Sequence, residues 1–273
     1  MNTFIRNLYQ CQKVNNSLVC VGLDPNIELI KLLEDDLLTW LKNIVDAVAD
    51  KVCAFKPQIA YFSAISAEKE LKQIIAYIHD NYPGVPVILD AKRGDIGSTA
   101  EQYAKEAFER YQADAVTVNP YMGHDTLQPF LDYAEKGVIV LCKTSNVGSD
   151  EFQNLTLDNG QLLFQQVAQN AAEKWNKNRN VLLVVGATYP QELAKIRSIV
   201  GEMPLLIPGI GAQGGDVEAT LKSGLNVNPE KSGLIISSSR GIIYAGNTKQ
   251  NYAHLASQAC TELNQQINDF WSI

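Results

Sequence analysis

Val85-Pro86-Val87-Ile88-Leu89-Asp90-Ala91-Lys92-Arg93-Gly94-Asp95-Ile96-Gly97-Ser98-Thr99 runs from five apolar residues into alternating charges and then a glycine-rich turn. The apolar part has the length and Val/Ile content of a strand buried on both faces. Residues i and i+2 of a strand point the same way, so Asp90 and Lys92 are expected to share one side. Gly94 frees the chain to turn and carries Asp95 beyond the strand. Ser98 and Glu101 have the S-x-x-E spacing of a capping box, which predicts a helix opening there. An ordinary strand–helix loop with a solvated ion pair could use the same residues, so the reading depends on the rest of the chain.

The same unit recurs along the whole sequence. Short apolar runs at 18–23, 52–55, 85–89, 115–118, 138–141, 181–185, 205–207 and 234–236 each end in polar or glycine residues. Between them lie stretches of helical periodicity at 27–48, 66–79, 99–111, 126–136, 162–177, 191–200, 216–223 and 250–269. Eight such units in 273 residues favour an α/β fold, a single (β/α)8 TIM barrel, over an open sheet. Residues 1–16 read as a further helix closing the barrel bottom. No low-complexity segment or linker divides the chain, so 1–273 is expected to be one domain.

Hydrophobic residues make up 46% of the chain and charged ones 19%, as in a soluble globular protein. A net charge of −7 argues against non-specific binding to nucleic acid or an anionic membrane. The five cysteines (Cys11, Cys20, Cys53, Cys142, Cys260) form an odd set without a C-x-x-C, which suits buried thiols in a reducing compartment. With no signal-peptide pattern and no run long enough to span a bilayer, a cytoplasmic protein is expected.

Barrel sites are built where the strands end at their C-terminal face. Asp24 follows the first run and Lys56 the second; Asp90, Lys92 and Asp95 follow the third, Asn119 the fourth, Ser145 the fifth and Thr188 the sixth. The seventh runs into Pro208-Gly209-Ile210-Gly211-Ala212-Gln213-Gly214-Gly215 and the eighth into Ser239-Arg240-Gly241. Gly209-x-Gly211-x-x-Gly214 formally fits a dinucleotide fingerprint, but it lies in the seventh unit, not the opening one. It fits better as a barrel phosphate site, with Gln213 donating an amide hydrogen bond and Arg240 a charged fork. Lys56 could be a lysine snorkelling at the rim. Beside Asp90, Lys92 and Asp95 it completes a balanced row of two ammoniums and two carboxylates. The histidines form no ligand pair, and no cluster has metal-ligand spacing, so no metal is expected.

Asp90-x-Lys92-x-x-Asp95-Ile96-Gly97-Ser98-Thr99, with Lys56 upstream and the 208–215 loop downstream, resembles the orotidine 5′-phosphate decarboxylase family, in its longer bacterial branch. The resemblance runs from Gly22-Leu23-Asp24-Pro25 to Ser239-Arg240-Gly241. It implies cofactor-independent decarboxylation of orotidine 5′-monophosphate to uridine 5′-monophosphate. It also implies Lys92 as proton donor to C6, Asp90 beside the departing carboxylate, and Lys56 bridging Asp90 to the ribose. Asp24 would bind ribose hydroxyls, Ser145 the pyrimidine edge, and Pro208, Gln213 and Arg240 would lie at the phosphate. Asp95 and Thr99 would reach the site of the other subunit in a homodimer. The D-x-K-x-x-D core is shared with hexulose-phosphate synthases and keto-gulonate-phosphate decarboxylases, relatives with a metal-using pattern and a glutamate in place of Lys56. Lys56 therefore favours the metal-free branch.

Two other readings stay open on the residues alone. A lysine among carboxylates at a barrel strand end can form a Schiff base, as an aldolase would use Lys92. A non-catalytic nucleotide-binding barrel would keep the phosphate residues, though it gives no reason to retain four charged groups at the strand ends.

Overall fold

The computed structural model describes residues 2–33, 35–210, 215–226, 228 and 232–271. The apolar runs form eight parallel strands: β1 Val19–Leu23, β2 Ala54–Pro57, β3 Ile88–Arg93, β4 Ala115–Val118, β5 Gly137–Lys143, β6 Val181–Val185, β7 Leu205–Pro208 and β8 Leu234–Ser238. Their order is β2-β1-β8-β7-β6-β5-β4-β3. Parallel bridges Phe55–Val87 and Gln58–Asp90 bring β2 against β3 and close the ring. The result is a (β/α)8 barrel, as the alternating pattern predicts. Its strands are apolar throughout because side chains on one face meet the outer helices and those on the other fill the interior.

Outside, each helix presents one apolar stripe to the strands. Trp40, Leu41, Ile44, Val45 and Val48 are the buried face of helix Leu37–Val48. Leu71, Ile74, Ile75 and Ile78 do the same for helix Glu68–Asn81. Inside, Cys20, Ala54, Ile88, Ala115, Ile139, Leu182, Leu206 and Ile235 form one apolar layer, several of them small. The space they leave at the bottom is filled by Phe4, Ile5 and Leu8 of the N-terminal helix Thr3–Asn15. Gly137 opens β5 because a Cβ there would lie 2.5 Å from the Phe4 ring. Burying Phe4 and Leu8 is worth roughly 1.5–3 kcal/mol each. Gln12 then ties the helix to β8 by donating to the Leu234 carbonyl at 2.8 Å.

Two local expectations are corrected. The periodic stretch 27–48 is not one helix but two, Ile27–Leu32 and Leu37–Val48. Asn26 caps the first, and Asp36 starts the second by accepting from the Thr39 amide at 3.0 Å. A strong N-cap inside a periodic run opens a new helix without disturbing the apolar phase. The second correction concerns the Ser98–Glu101 capping box, which does not form. Helix Gly97–Lys105 begins two residues earlier, with Ile96 at the cap position and no side-chain cap bond. Gly97 turns there at a φ of 52°, and the Asp95 carboxylate accepts from the Ile96 amide at 2.8 Å. Ser98 and Glu101 are left exposed on the helix.

Candidate active site

Alternation along the strands places the next inward-facing residues two positions beyond the apolar layer. These are Lys56, Asp90, Leu141, Val184, Pro208 and Ser237, which line one cavity of about 570 Å³ at the C-terminal mouth. The polar floor of the site is thus the first layer above a dry core. Asp24, Lys92, Ser145 and Arg240 line the same cavity. Seven of the ten residues expected from the sequence therefore share one mouth: Asp24, Lys56, Asp90, Lys92, Ser145, Pro208 and Arg240. Gln213 lies outside the described residues.

Asp90 is the hub. Its Oδ2 accepts from Lys56 Nζ at 2.8 Å and its Oδ1 from Lys92 Nζ at 2.6 Å. Lys56 and Asp90 are both buried, whereas Lys92 reaches into the mouth with its side chain 45% exposed. Burial works against both charges of the inner pair. It is outweighed at Asp90 by Lys56 and Lys92, which hold the carboxyl below its usual range. It is outweighed at Lys56 by the Asp90 and Asp24 carboxylates, which keep the ammonium above the usual lysine value. The inner pair, Lys56 and Asp90, is thus held ionised at neutral pH, and Lys92 is the member of the row open to a ligand.

Lys92 gets there by a bulge, not by simple alternation. Ile88 and Leu89 pair with Ala115 and Val116, but Arg93 pairs with Val118, so β3 carries two extra residues against Thr117. Lys92 sits at a φ of 47°, in the left-handed region that L-residues rarely occupy. Bulges of this kind re-aim side chains beside active sites.

Around this centre the loops supply donors and acceptors. Asp24 Oδ1 is buried and has no hydrogen-bond partner among the described residues, so it is an acceptor ready for a ligand hydroxyl. Gly186 lets the loop after β5 come close, since a Cβ there would be 2.8 Å from that of Ser145. Lys143 fixes the same loop. Its side chain is fully buried, and its ammonium donates to Ser149 at 3.0 Å and Asp150 at 2.6 Å beneath the Tyr189 ring. Arg240 stands directly after β8, across from Pro208 and Gly209.

Asp95 and Thr99 are not among the residues lining this cavity. Asp95 is half-buried beyond Gly94, and Thr99 is exposed on the following helix. Asn119, left without a role on sequence, organises the turn after β4 by accepting from the Tyr121 amide at 3.0 Å. Thr188 has a buried hydroxyl without a partner among the described residues.

A family model described as orotidine 5′-phosphate decarboxylase / HUMPS family matches residues 17–255. The chain belongs to this family. It is 55% identical over 271 residues to the orotidine 5′-phosphate decarboxylase of Ralstonia pickettii, covering 98% of each chain. It is 54% identical over 270 residues to that of Dechloromonas aromatica, covering 97% of this chain and 98% of the relative. Among solved structures, the OMP decarboxylase of Leishmania donovani matches with a TM-score of 0.84 at 38% identity, over 97% of this chain and 99% of that one.

Two side chains that brace the groups around this cavity carry little signal in the sequence. Thr117 faces Asp90 from β4, but in Ala115-Val116-Thr117-Val118 it reads only as a β-branched strand residue. Lys143 reads as one more polar residue at a strand end. Its sole signal is an ammonium preceding a loop with an acid seven residues on.

Proposed function

We propose that the chain converts orotidine 5′-monophosphate to uridine 5′-monophosphate and carbon dioxide, a step of pyrimidine nucleotide synthesis, with its own side chains carrying the chemistry. The observation that supports this most is the row Lys56–Asp90–Lys92 on the floor of the mouth, all three lining the cavity and Lys92 the exposed member. Breaking the C6–carboxylate bond leaves the electron pair on C6, where no adjacent carbonyl can delocalise it as an enolate. A fixed ammonium stabilises that charge and then gives its proton to C6. Lys92 is assigned both tasks. Asp90 repels the substrate carboxylate more before carbon dioxide departs than after, so its effect falls on the barrier.

Lys56 holds Asp90 ionised and reaches toward the ribose. Asp24 accepts from ribose hydroxyls through its unpartnered oxygen. Ser145 meets the pyrimidine edge, and Pro208, Gln213 and Arg240 form the phosphate end. Gripping the remote phosphate supplies binding energy that orients the reacting ring. The active unit is proposed to be a homodimer in the cytoplasm. Asp95 and Thr99 of each subunit then enter the other's mouth across a two-fold axis. Ile96, Tyr121 and Met122 are exposed apolar side chains near Asp95, a surface that a second copy would cover.

The test is the loss of orotidine 5′-monophosphate absorbance on adding pure protein in the presence of a chelator, with Lys92→Ala as control. Wild-type turnover that disappears in the variant supports the assignment. A wild-type chain that leaves the nucleotide unchanged, or a fully active Lys92→Ala, would refute it.

A further inference from the structure

At the β3 bulge two backbone amides and a carboxylate converge on one side chain. Thr117 is 1% exposed. Its Oγ1 accepts from the Ala91 amide and from the Lys92 amide, both at 2.9 Å. It donates to Asp90 Oδ1, also at 2.9 Å. A hydroxyl has two lone pairs and one proton. With both lone pairs occupied by amides, the proton has one direction left, toward the carboxylate. The stiff χ1 of a β-branched residue in a strand holds that direction.

We propose that Thr117 is a positioning residue for decarboxylation, a splint from β4 that fixes the bulge and so sets where the Lys92 ammonium and the Asp90 carboxylate stand. This rests on the assignment of Lys92 as proton donor. Two amides that a regular ladder would pair with β4 carbonyls are paired with this hydroxyl instead, at the point where two extra residues enter β3. One of them belongs to Lys92, whose left-handed backbone persists only if its surroundings hold it. The hydroxyl proton also adds a third donor to Asp90 beside the two ammoniums. Thr117 touches neither substrate nor proton in transit. It acts through the geometry of the two residues that do.

The test compares Thr117→Ser, which keeps the hydroxyl, with Thr117→Val, which keeps the shape and loses it. Thr117→Cys is included as a weak donor and acceptor that leaves the core filled should the Val variant fail to fold. The expected order of kcat is Thr, then Ser close behind, then Cys, then Val. The Val variant should fall roughly 100-fold, the scale for misplacing a catalytic group by about 1 Å. KM should stay within about threefold, because affinity comes from the distant ribose and phosphate contacts. A merely structural hydroxyl would lower thermal stability while leaving the kcat of the folded enzyme intact. Wild-type kcat in folded Thr117→Val or Thr117→Cys therefore overturns the proposal, as does a Ser variant that falls as far as Val. If wild type is active and Lys92→Ala dead, such a result removes the role of Thr117 alone. An inactive wild-type chain would remove the reading beneath it as well.

Discussion

Lys92 offers a substitution pair in which stability and activity separate. Replacing it by Ala or by Gly removes the same ammonium, so both variants should lose decarboxylation by several powers of ten. Their stabilities should differ, because the backbone at this position has a φ of 47°. A Cβ in that conformation costs roughly 1–2 kcal/mol, which glycine avoids. Glycine gives back about 0.5–1 kcal/mol through its freer unfolded chain. At the midpoints of these ranges Lys92→Gly is more stable than Lys92→Ala by about 0.75 kcal/mol, the reverse of their order in regular strands or helices. Loss of the contact to Asp90 is common to both and cancels in the comparison. Urea unfolding at equal protein concentration and equal m-value reads the difference as a shift in midpoint. An Ala variant as stable as Gly, or more so, would refute the strained backbone and with it the account of the bulge.

Arg240→Ala should raise KM for the nucleotide roughly 10- to 150-fold, the equivalent of losing a charge-assisted hydrogen bond worth about 1.5–3 kcal/mol, with partial rescue by added guanidinium. Unchanged KM would move the phosphate elsewhere. Mixing inactive Lys92→Ala with inactive Asp95→Ala and allowing subunit exchange should restore activity, up to half of wild type per mixed dimer, because one site then carries both defects and the other none. A dead mixture with exchange independently shown would place Asp95 in its own subunit's site. The third concerns acid. Asp90 has a lowered folded value, so its contribution to stability is complete above the ordinary carboxylate range and is lost as pH falls through the folded value. Asp90→Asn, though less stable at neutral pH, should therefore lose less stability than wild type between about pH 4 and pH 2. Parallel decline of the two in urea midpoint would contradict that.

The barrel was legible because its determinants are local. A parallel strand covered on both faces must be apolar at nearly every position, so 181–185 or 234–236 announces itself without reference to anything distant. The charged row was legible for a related reason. Lys56 and Asp90 are the first charges after an apolar run, and on a barrel that position is the floor of the mouth. Helix starts were less secure, since several competing signals lie within a few residues. Gly97 and the Asp95 carboxylate overrode the Ser98–Glu101 spacing, and Asp36 opened a helix inside a periodic run. What stayed hidden depends on partners far along the chain. The bulge at residues 90–92 is held by a hydroxyl 27 positions beyond Asp90, and strand alternation gives no hint of two extra residues.

That dependence connects the bottom of the barrel to its chemistry. A buried carboxylate between two ammoniums is costly to desolvate and tolerable only where its geometry is held and its remaining lone pairs are used. Held geometry here requires a rigid floor, and the floor is Cys20, Ala54, Ile88 and Ala115, small or medium residues that would leave a void if the N-terminal helix did not insert Phe4 and Leu8 from below. The small residues in turn let the strands keep Lys56, Asp90 and Thr117 one layer above, close enough to bond one another. Lys92 then needs the bulge, because a regular strand would carry it onward at about 3.3 Å per residue, and the two extra residues fold it back over Asp90. Packing at one end and strain at the other are thus parts of one arrangement. A cavity opened beneath the floor should loosen the row without touching any charged residue, and Phe4 is the side chain whose truncation would open it.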